Sequence, residues 1–273
     1  MFSFLTSDGL KIAYDVDDLT DPWKTPDTLV MLHSAMASAG RYYAMVPLLS
    51  RRFRVVRMDM RGHGRSEIPS ESMPLTMPRL VADVTELMDH LRLASAHFVG
   101  NSAGGYVCQN LAIERPERVK SLSLFGSGAG LKGTDAANWV SQIGKEGLRG
   151  FLARTIAYRF DPDVDPRCVN WFLDEADKNN VPFLARFVGL MTTLDWTDQL
   201  SRIKCPTLLV IPGKDTDSKA RNYDASLRLI PDIRSIRYEG KRHNVCDAIP
   251  DRCTRDVLTF LTSLAGPRSA AAE

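Results

Sequence analysis

The chain has 273 residues, of which 44% are hydrophobic and 25% are charged, as in an ordinary globular protein. This length predicts one large α/β domain, with or without an insertion. The 35 basic and 33 acidic residues are interspersed and leave a net charge of +2, so neither a nucleic acid nor a membrane surface is expected as a partner. Five cysteines without a Cys-x-x-Cys pair argue against a disulfide framework and a zinc site.

The sequence shows neither a secretion signal nor an apolar run of the roughly 18 residues that a membrane span needs. Residues 1–8 contain no basic segment followed by an apolar one. We therefore expect a cytoplasmic protein.

Apolar runs bounded by turn residues predict eight strands, at residues 2–5, 10–16, 28–32, 53–58, 97–99, 119–125, 207–211 and 233–238. The first two alternate apolar and polar side chains around Ser7-Asp8-Gly9, which predicts an antiparallel hairpin. Helical spacing predicts helices at residues 41–50, 78–91, 103–114, 219–229 and 251–264. Strands and helices alternate with short links, which predicts an α/β fold with a mainly parallel eight-stranded sheet flanked by helices.

This alternation stops at residues 131–202, where aromatic side chains occur at helix-like spacing and no strand is recognisable. The segment is predicted to be a helical lid over the carboxyl ends of the strands, with residues 1–130 and 203–265 forming the core. Residues 266–273 are expected to be a disordered tail. Aromatic side chains more often belong to a core, but at this place we expect Trp139, Trp171 and Trp196 to line a substrate pocket.

Residues 100–104, Gly-Asn-Ser-Ala-Gly, stand between a predicted buried strand and a predicted helix. A sharp turn there holds Ser102 at positive φ, which is strained for any residue with a Cβ atom. Side chains at Gly100 and Gly104 would collide with such a turn. The turn exposes the serine hydroxyl and places a helix N-terminus beside it, so the pattern predicts a nucleophile elbow.

A serine hydroxyl needs a base to take its proton, and an acid must hold that base in one tautomer. Asp215 and His243 each lie in a loop directly after a predicted strand, as Ser102 does. Such loops meet at one edge of a parallel sheet, where ligands bind. The residue types, their order and their positions predict a catalytic triad.

The order Ser102, Asp215, His243 resembles that of the α/β-hydrolase fold family, and the resemblance covers residues 4–264. Residues 59–66, Asp-Met-Arg-Gly-His-Gly-Arg-Ser, match the Asp-x-Arg-Gly-x-Gly-x-Ser signature of that family. Pro250 follows His243 at the family's usual distance. The general layout is similar to 3-oxoadipate enol-lactonases and small carboxylesterases, and residues 100–105 resemble hydrolases of meta-cleavage products.

One departure concerns the acid. The family usually has Gly-x-x-Asp, whereas Gly213-Lys214-Asp215 is one residue shorter and leaves Asp217 as a rival. The family's spacing back from Pro231 favours Asp215.

The resemblance also implies an oxyanion hole made by the backbone N–H groups of Ala35 and Ala103. Relatives begin the first of these loops with His-Gly, where this chain has His33-Ser34. The Ser34 hydroxyl is therefore either an additional donor or a tolerated small group.

Arg41 and Tyr42 follow the same loop and are candidates for substrate contact. His33 and His63 match structural positions of the family motifs, and Arg61 and Arg65 are expected to tie loops together.

No set of residues has metal-ligand spacing and no Gly-rich loop opens a dinucleotide site, so neither a metal nor a cofactor is expected. The expected partner is a small-molecule substrate, and a homodimer is left open.

The resemblance implies a serine hydrolase of small carboxylic esters, lactones or amides. One alternative is hydrolysis of a carbon–carbon bond in a meta-cleavage-type dienoic acid, although Asn244 replaces the tryptophan usual in that group. A second is a ligand receptor with little turnover.

Overall fold

The computed structural model describes residues 2–215 and 223–264. Asp217, the first part of the predicted helix at 219–229 and the predicted tail at 266–273 lie outside them. The eight strands are β1 (Phe2–Leu5), β2 (Lys11–Asp17), β3 (Thr28–Leu32), β4 (Arg54–Met58), β5 (Ala96–Asn101), β6 (Val119–Phe125), β7 (Thr207–Pro212) and β8 (Ile233–Tyr238).

These strands form one sheet in the order β1-β2-β4-β3-β5-β6-β7-β8. The pairs β1–β2 and β2–β4 are antiparallel. Every other pair is parallel. The predicted mainly parallel eight-stranded sheet is confirmed.

Nine α-helices lie within the described residues: α1 (Val46–Leu49), α2 (Met77–His90), α3 (Ala103–Glu114), α4 (Trp139–Arg154), α5 (Pro166–Asp177), α6 (Val181–Thr193), α7 (Tyr223–Leu229), α8 (Val245–Ala248) and α9 (Pro250–Leu264). The single helix predicted at 41–50 is wrong, because a 3₁₀ turn at Ala39–Tyr42 and the short α1 take its place. Pro47 fits the first turn of α1 but lacks the N–H that would continue a helix begun earlier.

The sheet is covered by helices on both faces, as its continuous apolar strands require. Side chains of β3 alternate between the faces: Leu29 and Met31 pack with α1 and α9, whereas Val30 and Leu32 pack with α2 and α3. This period of two places an apolar core on each side of the sheet. The carboxyl ends of the parallel strands are therefore the edge at which polar loops emerge.

Residues 131–202 connect β6 to β7 and contain α4, α5, α6 and short 3₁₀ turns but no strand. A single bridge between Gly130 and Asp195 joins the two ends of this segment. Its helices enclose an apolar cluster of their own, separate from the two clusters of the sheet. A lid function for the segment stays a prediction.

A buried ion network fixes the loop that follows β4. The Arg61 guanidinium is fully buried and donates two hydrogen bonds of 2.6 Å to the carboxylate of Asp83 on α2. It also donates to Asp8, in the turn between β1 and β2, at 3.0 Å. Arg65 binds Asp59 and Asp15 in the same region. Both arginines therefore tie loops together.

We expect Asp83→Ala to lower the free energy of unfolding by about 3–5 kcal/mol, because it leaves a buried guanidinium without its main partner. Asp89→Ala is the matched control on the same helix. Asp89 is 65% exposed in its ion pair with Arg118, so its loss should cost about 1 kcal/mol or less. Urea denaturation of both variants measures the difference. Equal losses would contradict the role assigned to the buried network.

Candidate active site

The elbow predicted at Ser102 is present in the backbone. Ser102 has φ 49° and ψ −114°, and it lies between the last residue of β5 and the first residue of α3. Its N–H donates to the carbonyl oxygen of Phe125 at 2.9 Å, and its own carbonyl oxygen accepts from the N–H of Tyr106 at 3.1 Å. A residue with a Cβ atom remains in this region only where its surroundings hold it.

Three glycines allow α3 to approach the sheet closely enough to form this turn. A Cβ atom on Gly104 would stand 2.0 Å from the carbonyl oxygen of Leu32, and one on Gly100 would stand 2.5 Å from the Cα of Gly105. A Cβ atom on Gly105 would stand 2.1 Å from the Ser127 hydroxyl oxygen. The contacts of Gly104 and Gly100 are with backbone atoms, which cannot move aside, and the contact of Gly105 includes the Cβ atom of Ser127 at 2.5 Å. The glycines are therefore required by packing.

Asp215 and His243 are in direct contact. The Nδ1 atom of His243 lies 3.1 Å from Oδ2 of Asp215, which is buried and lies three residues after the end of β7. Because an ionised carboxylate only accepts hydrogen bonds, Nδ1 carries the proton of this bond. The same Oδ2 accepts a second hydrogen bond, at 2.8 Å, from the hydroxyl of Tyr223. No sequence motif indicated Tyr223, whose role depends only on where α7 packs.

The imidazole of His243 lies beside Gly126, the residue that follows β6. A Cβ atom on Gly126 would stand 2.8 Å from Cε1 of His243. Gly126 directly follows Phe125, whose carbonyl oxygen binds the N–H of Ser102. His243 and the elbow therefore contact two consecutive residues at the end of β6, Gly126 and Phe125 respectively.

The loop after β3 carries the predicted oxyanion donor Ala35 and is held by hydrogen bonds at several points. The Nδ1 atom of His33 lies 2.7 Å from the carbonyl oxygen of Ser34. Its Nε2 accepts from the N–H of Met60 at 3.0 Å, so the proton is on Nδ1. The carbonyl of Ser34 and the N–H of Ala35 belong to one peptide unit. Because that unit is planar, the bond from His33 also orients the N–H of Ala35.

Ala103, the other predicted donor, is the first residue of α3 and is buried. Further along the loop after β3, the N–H of Ala39 donates to Asp59 at 2.7 Å. We call residues 33–39, the loop after β3, the oxyanion loop. This hydrogen bond joins the oxyanion loop directly to the motif at 59–66.

His63 lies in an apolar environment beside His33, Phe183 and Phe187. Its Nδ1 lies 3.0 Å from the carbonyl oxygen of Arg61, and its buried Nε2 has no hydrogen-bond partner among the described residues. Burial, with a smaller contribution from His33, lowers the pKa of His63 to about 3. Burial also lowers the pKa of His33. Both imidazoles are neutral structural groups.

Arg41 is held within the protein. Its Nε donates to Asp247 at 2.8 Å, its Nη2 binds the other oxygen of the same carboxylate, and Nη1 lies 3.4 Å from the Ser34 hydroxyl. The guanidinium also stacks on Phe172 of α5, with 4.6 Å between its central carbon and the ring centre. Because Asp247 already balances its charge, this geometry does not favour Arg41 as the site of a substrate anion.

The other predicted substrate contacts lie in different environments. Tyr42 donates its hydroxyl to the carbonyl oxygen of Leu32 at 2.8 Å and is buried. Trp196 is 4% exposed and donates to the side-chain oxygen of Gln109 on α3. Tyr42 and Trp196 therefore support the core. Trp139 packs against the apolar clusters of the sheet and of the helical segment. Trp171 makes an edge contact with Tyr43.

A small recess lies beside the loop that follows β3. It is lined by His33, Ser34, Ala37, Arg41, Tyr42, Asn101, Cys246 and Asp247. Its lining comes from the oxyanion loop, the strand before the elbow and α8. In the part of the chain that the structure describes, no group of three or more His, Cys, Asp or Glu side chains could hold a metal ion. No helix there is long and apolar enough to cross a membrane.

Residues 27–146 match the family model of the alpha/beta hydrolase fold. The chain is 32% identical to a hydrolase of known structure from Pseudomonas aeruginosa, with a TM-score of 0.84 and coverage of 95% of this chain and 97% of that one. The chain therefore belongs to the α/β-hydrolase fold family, and it is an enzyme of that family.

Curated relatives cover most of the chain. 3-Oxoadipate enol-lactonase 2 of Acinetobacter baylyi is 27% identical over 191 residues, which are 68% of this chain and 71% of the relative. The pimeloyl-[acyl-carrier protein] methyl ester esterase of Aeromonas hydrophila is 26% identical over 230 residues, covering 80% of this chain and 88% of the relative.

Acidification should destabilise the protein through His63. The unfolded chain binds a proton at this histidine below about pH 6.5, whereas the folded protein does so only near pH 3, so stability falls as the pH falls between these values. One such group contributes a slope of up to about 1.4 kcal/mol per pH unit. The free energies of unfolding of wild type and His63→Asn, measured in urea from pH 7.5 to 5, should show the shallower slope in the variant. Parallel curves would contradict this assignment.

Proposed function

We propose that this enzyme hydrolyses small carboxylic esters or lactones, with Ser102 as nucleophile, His243 as general base and Asp215 as the acid that orients the imidazole. The observation that carries the proposal is the hydrogen bond between His243 and Asp215 beside a serine held at positive φ. This combination is the arrangement that activates a serine hydroxyl.

The reaction follows from these positions. Asp215 accepts the Nδ1 proton of His243, so Nε2 is the atom that takes the proton from Ser102 as its Oγ attacks the carbonyl carbon. The N–H groups of Ala35 and Ala103 bind the negative oxygen that forms. Nε2 then gives its proton to the leaving alkoxide. Water attacks the resulting acyl-serine with His243 again as base, which releases the acid and restores the Ser102 hydroxyl.

Asp215 is suited to its role because two donors hold it. Its Oδ2 accepts from Tyr223 at 2.8 Å and from His243 at 3.1 Å. The approach of its loop to the loop after β8 is set by two backbone hydrogen bonds, from Gly213 to Tyr238 at 2.9 Å and from Lys214 to Lys241 at 2.8 Å. These hydrogen bonds hold the Asp215 carboxylate next to the His243 imidazole.

The relatives support ester bonds as the substrate class, since those reported above are named as an enol-lactonase and a methyl ester esterase. Carbon–carbon bond hydrolysis was suggested by the motif at residues 100–105, which ends in Gly104-Gly105. Gly105 has a packing reason of its own, because a Cβ atom there would collide with Ser127. The motif therefore does not require that chemistry.

Ser102→Ala should lower kcat for short-chain p-nitrophenyl esters by about 10⁵- to 10⁶-fold, and His243→Ala should behave similarly, because each removes a member that the others need. Circular dichroism and thermal unfolding verify that the variants fold. Asp215→Asn should lower kcat by about 10⁴-fold, because the amide favours the wrong imidazole tautomer.

Asp217→Asn is the matched control for the acid. If this variant is the inactive one and Asp215→Asn is active, the acid is Asp217. A folded Ser102→Ala enzyme that keeps more than a few per cent of wild-type turnover would overturn the serine mechanism. Wild type that turns over no ester or lactone but depletes a coloured dienoic acid would establish the carbon–carbon alternative. Binding without turnover of either would establish a receptor.

We also propose that residues 131–202 form a lid over this site. Two contacts support it: Cys168 of α5 contacts the backbone of Asp247, and the N–H of Asn244 donates to the carbonyl oxygen of Arg159 at 3.0 Å. Asn244 directly follows His243 in the chain. The helical segment therefore lies beside the loop that carries the proposed base.

Trp139→Ala and Trp171→Ala test the lid as the source of specificity. At least one of them should change the relative kcat/KM among esters of increasing acyl length by about tenfold or more, because an apolar pocket discriminates by volume. Trp23→Ala is the control, since Trp23 is 80% exposed in the connection that leads to the opposite end of β3. If both Trp139→Ala and Trp171→Ala keep the wild-type ranking, the acyl pocket lies elsewhere.

A further inference from the structure

Met36 stands out in the loop that carries the proposed oxyanion donor. Its φ is 58°, and Arg92 and Ser102 are the other non-glycine residues with positive φ in the described part of the chain. An unbranched side chain in this region costs conformational free energy that glycine would avoid. A methionine keeps this conformation only where its surroundings hold it, so the contacts of its side chain are of interest.

Those contacts lie in the helical segment. Met36 is 5% exposed and belongs to the apolar cluster enclosed by α4, α5 and α6. Every other buried member of that cluster in the described residues lies between Ile143 and Val188. Met36 is thus a side chain of the sheet domain inserted into the core of the segment that we propose as the lid.

The backbone connects this insertion to the site. Met36 directly follows Ala35, whose methyl group packs against the same cluster. On the other side of Ala35, His33 holds the Ser34 carbonyl at 2.7 Å. The peptide unit that presents the Ala35 N–H is therefore fixed from one side by a partly buried hydrogen bond and from the other by an apolar anchor.

We infer that Met36 is a positioning residue for the oxyanion hole, and that the insertion of its side chain into the apolar cluster of the helical segment holds the direction of the Ala35 N–H. This inference rests on the proposed function, because it assigns to Ala35 the role given there. The anchor acts on the negatively charged intermediate and not on the bound ester, so its loss should appear in kcat while KM stays unchanged.

Met36→Ala removes the anchor and keeps the strain, whereas Met36→Gly removes both. Each should lower kcat for a short-chain ester by about 10- to 100-fold, a part of what a lost oxyanion donor costs, with KM within about twofold of wild type. Inhibition by phenylboronic acid, which forms a tetrahedral adduct on a catalytic serine, should weaken by a similar factor. Met36→Leu refills the cluster and should restore kcat to within about threefold of wild type.

Two control variants separate positioning from general effects. Leu152→Ala opens a cavity in the same cluster and leaves the Met36 side chain in place, so it should lower the melting temperature and leave kcat close to wild type. Arg92→Gly removes positive-φ strain elsewhere and should also leave kcat unchanged. A kcat loss in Leu152→Ala equal to that in Met36→Ala would show that any weakening of the cluster suffices, and would overturn the inference.

Met36→Gly with wild-type kcat and wild-type boronate inhibition would overturn it too, because the Ala35 N–H would then keep its direction without the anchor. Should the glycine and alanine variants not fold, Met36→Cys, whose unbranched side chain keeps part of the volume, is measured instead, with the same expected kcat loss. Ser102→Ala distinguishes the two proposals. If Ser102→Ala is inactive and the Met36 variants are normal, only the role of Met36 fails. If Ser102→Ala is active, both fail.

Discussion

The site depends on the close approach of α3 to the sheet. Gly100 and Gly104 allow backbone atoms to meet where a Cβ atom would stand 2.5 Å or less from a neighbour. This contact holds Ser102 at a φ of 49°, a conformation that its own side chain disfavours. The strain is local, whereas the packing that maintains it extends along a whole helix and its neighbouring strands.

The loops around the elbow are held by polar groups that are buried and paired. Asp59 accepts from the N–H of Ala39 and pairs with Arg65, so the signature motif and the oxyanion loop are one hydrogen-bonded unit. His33 contributes as a neutral imidazole with an assigned tautomer. Removing a buried partner leaves an unpaired polar group, which costs more than the bond itself contributes, so such loops have one conformation.

The helical segment contacts both sides of the site. Met36 inserts from the oxyanion loop into its apolar cluster, and Arg41 stacks on Phe172 while pairing with Asp247. Asp247 belongs to α8, which begins directly after the loop of His243. Apolar packing and one buried ion pair therefore join the oxyanion loop, the histidine loop and the helical segment into a connected structure.

The sequence by itself determined the features that depend on neighbouring residues. The eight strands, the elbow at Ser102 and the order of the candidate residues were predictable, because apolar periodicity and glycine placement act over a few positions. The division of the 41–50 helix was also readable at Pro47, but it was missed. Only the tertiary structure decided which distant groups meet: Arg41 with Asp247, and Met36 with the helical cluster. These pairings follow from how helices pack on the sheet, and one sequence read in order carries no signal for contacts between residues so far apart.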